Sequence, residues 1–176
     1  LSPDAPTIAV GSTSQTNQNV AVTITYPTGS LAREYKLGAT GQWQSYSSPF
    51  VVSENTMIYA RAMNTVGTYS TEARMAVGNI DKVLPHVTFG TNGSNTPAKS
   101  HETSITVTDN VAVSQTSYAW SQTDAVPPTT FTDFTNGATV ATPTSTGLYY
   151  LWVKAGDTAS NTATVASNMF YVTTTP

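Results

Sequence analysis

Along much of its length the chain alternates apolar and polar residues with a period of two. Val20, Val22 and Ile24 are interleaved with Ala21, Thr23 and Thr25. Ile105 and Val107 repeat the pattern between Thr106 and Thr108, as do Ile58, Ala60 and Ala62 around Tyr59 and Arg61. Leu151, Val153 and Ala155 alternate with Trp152 and Lys154. Such runs bury one face of a β-strand and wet the other. Helical periodicity is nearly absent, and Gly, Pro, Asn and Ser punctuate the runs. Strands are predicted near 6–11, 18–26, 32–38, 42–46, 49–53, 56–63 and 69–77. A second set is predicted near 85–90, 102–108, 114–121, 130–134, 138–141, 147–155 and 163–173.

The two sets are copies of one another. Asp4-Ala5-Pro6-Thr7-Ile8 aligns with Asp81-Lys82-Val83-Leu84-Pro85-His86-Val87, and the strand at 19–25 with that at 103–108. Glu34-Tyr35-Lys36-Leu37 aligns with Ser117-Tyr118-Ala119-Trp120, and the stretch from Ile58 with that from Leu151. The expected organisation is two domains, 1–79 and 80–176. Short strands, turns at this spacing and copies of this size predict an all-β chain of two tandem immunoglobulin-like/fibronectin-III-like β-sandwiches. Trp120, and Tyr35 in the first copy, are placed as inward aromatics of the third strand. Ile80, Val83 and Leu84 predict partial burial of the segment joining the copies.

Composition narrows the chemistry. Only 10% of the 176 residues are charged, against about 25% in an average protein. Threonine and serine make up the difference, and threonine suits the wet face of a strand. The net charge is −3, which argues against nucleic acid or an anionic membrane surface, since both attract clustered Lys and Arg. Cysteine is absent, which removes disulfides, thiolate nucleophiles and Cys-based zinc sites. No apolar run approaches the length of a membrane-spanning helix, and no signal peptide is visible. The chain opens on Leu1 and stops at Pro176, and is expected to be a piece of something longer. None of the ten acids falls in a spacing that suggests a catalytic pair, and no nucleophile elbow, P-loop or His-Glu-x-x-His is present. The reading is non-catalytic.

Several phrases of the second copy carry a resemblance. They are Asp81-Lys82, Pro85-His86-Val87-Thr88-Phe89, Val107-Thr108-Asp109, Tyr118-Ala119-Trp120-Ser121 and Tyr149 to Asn161. Together they resemble the bacterial Ig-like domains of large surface and secreted proteins. In that family the last phrase ends Asp-x-Ala-Gly-Asn, whereas this chain has Ser160 at the glycine. The first copy resembles a sister type through Val20 to Pro27, Glu34-Tyr35-Lys36, Gly41 to Tyr46 and Tyr59 to Ala62, with Asn64 where the family has Asp. The resemblance implies an extracellular or cell-surface location. It implies a spacer or adhesion region of a bacterial surface or secreted protein. Alternatives are an accessory carbohydrate-binding module of a secreted polysaccharide hydrolase, or an S-layer or phage-surface assembly module. Expected partners are other domains of the same polypeptide, cell-wall or host glycans, and neighbouring surface subunits.

Two sets of residues are candidates for binding. Asp109 and Asp157 are expected at strand ends of one pole of the second sandwich, with Asn161 nearby. Asp81 lies in the joining segment, where related tandem modules bind calcium. Their hard oxygens suit Ca²⁺. The run from Asp157 to Asn161 is equally good turn chemistry, since Asp and Asn side chains bond nearby backbone N–H groups. Trp43 and Tyr46, among Gln and Ser, are candidates for stacking a sugar ring.

Overall fold

The computed structural model describes residues 1–175, in two compact units, Leu1–Lys82 and from Val83 onward. Each is described by itself. Among the described residues the regular structure is entirely strand.

Unit 1 contains β1 (Thr7–Val10), β2 (Val20–Thr25), β3 (Ala32–Leu37), β4 (Gln44–Ser45), β5 (Phe50–Val52), β6 (Thr56–Met63) and β7 (Ala73–Val77). They form a three-stranded sheet, β1-β2-β5, and a four-stranded sheet, β4-β3-β6-β7, with antiparallel neighbours throughout. The alternation read from the sequence is the burial pattern observed. In β2, Val20, Val22 and Ile24 are buried and the residues between them exposed. In β6, Ile58, Ala60 and Ala62 are wholly buried. All of these but Ala62 meet between the sheets with Ile8, Val52, Val77 and Ile80. Each fully buried valine or isoleucine contributes about 1.5–3 kcal/mol. Tyr35 stacks on Phe50 at 4.3 Å, completing the core from β3.

Unit 2 contains β8 (His86–Phe89), β9 (Ser94–Ala98), β10 (Glu102–Thr108), β11 (Val113–Ser121), β12 (Thr132–Asp133), β13 (Thr139–Ala141), β14 (Gly147–Asp157), β15 (Thr162–Ala166) and β16 (Phe170–Val172). One sheet runs β13-β10-β8. The other runs β12-β11-β14-β16-β9, with β15 also on β14. Ile105, Val107, Leu151, Val153 and Ala155 form the centre of the core. Trp120 packs against it from β11 and meets the fully buried Phe170 edge-to-face at 5.5 Å. Two facing sheets, with the central strands of each supplying alternate side chains to one apolar layer, make each unit an immunoglobulin-like/fibronectin-III-like β-sandwich.

The structure departs from the sequence expectations in three places. β9 was not predicted. It pairs in parallel with β16 as an edge strand, both its faces are largely wet, and it contains Pro97, so it has no apolar alternation to read. The strand expected over 163–173 is broken at 167–169. There the Ser167 N–H donates to Leu151 O (2.8 Å), and the Ser167 hydroxyl accepts from the Leu151 N–H (2.9 Å) and donates to Asn168 O (2.8 Å). A side-chain oxygen thus replaces a backbone carbonyl where the strand bulges. Unit 1 repeats the device with Ser70, Ala62 and the Thr71 carbonyl. The third departure lies in the joining segment. Ile80 is buried, clamped by both ends of the Asn55 amide, but Val83 and Leu84 are 54% and 58% exposed.

Candidate metal centre

The pole of unit 2 after β10 is built by two loops that hydrogen-bond to each other. The Thr158 N–H donates to Ala112 O (3.0 Å), and the Ser114 hydroxyl donates to Asp157 O (2.6 Å). These bonds hold Asp109, just past the end of β10, beside Asp157, the last residue of β14. A carboxylate oxygen of Asp109 lies within 4.8 Å of one of Asp157. The expectation that these strand ends share a pole is what the geometry shows.

The two carboxylates are used differently. Asp157 is 4% exposed. Its Oδ1 accepts the N–H groups of Ala159 and Asn161 (both 2.8 Å), and its Oδ2 accepts Nδ2 of Asn161 (2.7 Å). Asp157 therefore organises the turn that ends β14, and Asn161 is its direct partner. That turn places Ser160 at φ 72°, a left-handed conformation that favours glycine. Asp109 accepts the N–H groups of Val111 (2.9 Å) and Ala112 (3.1 Å) through Oδ2. Its Oδ1 is buried and has no hydrogen-bond partner among the described residues. Two carboxylates this close repel each other when ionised, and an oxygen hidden from water without a donor is costly. A hard cation relieves both penalties, and Ca²⁺ accepts carboxylate and amide oxygens of this kind. Asp81 lies in the closing segment of unit 1, buried, with its N–H donating to Thr16 O at 2.9 Å.

The candidate sugar platform needs correction. Tyr46 points inward. Its ring packs on the unit 1 core against Tyr26, Tyr35 and Phe50, and its hydroxyl accepts the Ile24 N–H at 3.1 Å. Trp43 and Tyr46 flank the two-residue β4 and their rings face opposite ways, so they do not form one surface. Trp43 lies on the outer face of the four-stranded sheet, where its ring centre is 4.1 Å from the Arg61 guanidinium and 4.9 Å from the Lys36 ammonium. Arg61 also lies over Tyr69 at 3.9 Å and pairs with Glu34 at 2.7 Å. Lys36 and Arg74 flank Tyr59 at 5.0 and 5.3 Å. The face is a ladder of alternating cations and rings, each contact worth about 0.5–1 kcal/mol at an exposed site. Sequence reasoning missed this ladder, although Lys36, Tyr59 and Arg74 fall at adjacent positions once the strands are in register. In unit 2 the position matching Tyr59 is Trp152, which is buried and donates its indole N–H to Thr123 O at 2.9 Å.

No family model matches the chain, and no curated protein matches it. Among solved structures it is similar to the fibronectin(III)-like modules of CbhA from Clostridium thermocellum. That likeness has 13% identity and a TM-score of 0.40, over 94% of each chain. It is also similar to the human OSCAR ligand-binding domain, at 10% identity and a TM-score of 0.36, over 97% of this chain and 100% of the other. Neither likeness bears on function, and the sandwich assignment stands on the strand order itself.

Proposed function

We propose that the chain is a non-catalytic, extracellular pair of Ig-like modules. They act as a spacer and adhesion region of a bacterial surface or secreted protein, and the second module is reinforced by a bound calcium ion. The observation that carries the metal is the buried, unpartnered Oδ1 of Asp109 within reach of the Asp157 carboxylate. Asp109, Asp157 and the Asn161 amide supply hard oxygen ligands. Supporting the spacer role, the ladder of unit 1 engages Lys36, Arg61 and Arg74, and the turn that ends β14 engages Asp157. The partners that fit this reading are the neighbouring domains of the same polypeptide, with glycans or adjacent surface subunits reached through loop tips and strand edges.

The test is thermal unfolding of the full chain in calcium and in chelator. A ligand present at about a hundred times its Kd stabilises the folded state by about 2.7 kcal/mol. The transition of unit 2 should therefore rise in calcium and not in magnesium. The Asp109→Asn variant should abolish the rise. An unchanged midpoint in the unmodified chain removes the metal from the proposal.

A further inference from the structure

The chain holds two Asn-Gly pairs, Asn92-Gly93 and Asn136-Gly137. This dipeptide is chemically fragile because glycine presents an unhindered backbone nitrogen to the preceding side-chain amide. Attack of that nitrogen on the asparagine Cγ forms a C–N bond, breaks the C–NH₂ bond and expels ammonia. Water then opens the resulting succinimide at either carbonyl, giving aspartate or isoaspartate. Both asparagines are exposed, so solvent access does not separate them. Their bonding does.

At Asn136 both reacting groups are engaged. The side-chain Oδ1 accepts the Val107 N–H (2.8 Å), and Nδ2 donates to Val107 O (2.7 Å). The attacking group, the Gly137 N–H, donates to Ile105 O at 2.9 Å. Reaction there requires the bonds that hold the leaving Nδ2 and the attacking Gly137 N–H on β10 to open first.

At Asn92 the arrangement is reversed. The Gly93 N–H has no acceptor among the described residues. The Asn92 Oδ1 accepts the backbone N–H of Asn168 at 2.7 Å. That donor polarises the amide carbon and faces the oxygen on which negative charge gathers as the tetrahedral intermediate forms, as in an oxyanion hole. The glycine is also required by the fold. Gly93 has a φ of +86°, and a Cβ there would lie 2.6 Å from Asn168 Cβ and 2.8 Å from Met169 O. No larger neighbour can shield Asn92.

We propose that Asn92 is a site of spontaneous deamidation in the folded protein, and that Asn136 is protected by β10. The product matters locally because Ser94, two residues on, begins β9, the strand that holds β16. Isoaspartate lengthens the main chain by one methylene at the entry to that strand, and either product adds a negative charge.

The experiment incubates the full chain at mildly alkaline pH, native and in denaturant, and follows both asparagines by peptide mapping. Deamidation raises the peptide mass by about 1 Da. In the native chain, Asn92 should convert faster than Asn136 by roughly tenfold or more. In denaturant, where both are plain Asn-Gly dipeptides, the two rates should converge. Equal native rates overturn the proposal. So does an Asn92 that stays intact in the native chain while both residues convert in denaturant.

Discussion

Replacing Asp157 by alanine and by asparagine separates what its turn does from what its charge does. Alanine removes the acceptor of two backbone N–H groups, at Ala159 and Asn161, in a buried turn. Each stranded donor costs about 1–3 kcal/mol, so the loss is about 2–6 kcal/mol. A unit of this size has about 5–14 kcal/mol in total, so Asp157→Ala should remove a large part of its stability. Asparagine keeps Oδ1 for both backbone donors and loses the charge. It also turns the Oδ2 acceptor into an NH₂ donor that faces Asn161 Nδ2, so that bond is lost, at a cost of about 1–3 kcal/mol. The same change removes repulsion from the nearby Asp109 carboxylate. The two effects oppose each other, so in chelator Asp157→Asn should lose less stability than Asp157→Ala. Urea unfolding in chelator reads this through the fluorescence of Trp120 and Trp152, with Trp43 reporting on unit 1. If the alanine and asparagine variants fall together, or if alanine changes stability by less than about 1 kcal/mol, the turn does not carry the assigned load.

Three further outcomes follow from the same structure. Ser167→Ala leaves the Leu151 N–H without an acceptor at the middle of the core and should lower the stability of unit 2 by about 1–3 kcal/mol in a urea titration. Ser160→Gly removes a Cβ from a left-handed residue and should raise the stability of unit 2 by about 1 kcal/mol, seen as a higher midpoint. Tyr26 is half-buried and donates its hydroxyl to Glu34 O, and burial, with Tyr46 and Glu34 nearby, raises its pKa well above the usual 10.0. Its neutral form is the one that the fold accepts, so its contribution is complete below pH 10.0 and is lost as pH climbs beyond it. Absorbance titration should show one tyrosine ionising only together with alkaline unfolding, and Tyr26→Phe should remove that step.

The sandwich was legible wherever a strand has one dry and one wet face. β2, β6, β10 and β14 announce themselves through alternation because each sits inside a sheet against the core. β9 was illegible because an edge strand recruited by backbone bonds alone needs no particular side chains. The pairing of Asp109 with Asp157 was legible because both lie at strand ends, and the order of strands in a sandwich brings such ends together. Tyr46 was misread because it lies just past the two-residue β4, too short a strand for alternation to assign its face. The ladder on Trp43 needed the register of three strands, which no local pattern supplies.

The parallel pairing of β9 with β16 has a mechanical consequence. β9 lies near the start of unit 2 and β16 near its end, so a pull on the two ends of the unit draws these strands along their length in opposite senses. Their hydrogen bonds then resist in shear, all together, rather than peeling one by one as they would in a hairpin. Unit 1 has a shorter version, in which the Thr16 N–H and carbonyl bond to Asn79 and Asp81 across a parallel bridge, and the Asn79 amide adds bonds to Ser12 and Ser14. By this reasoning a steady pull along the chain should open unit 1 before unit 2.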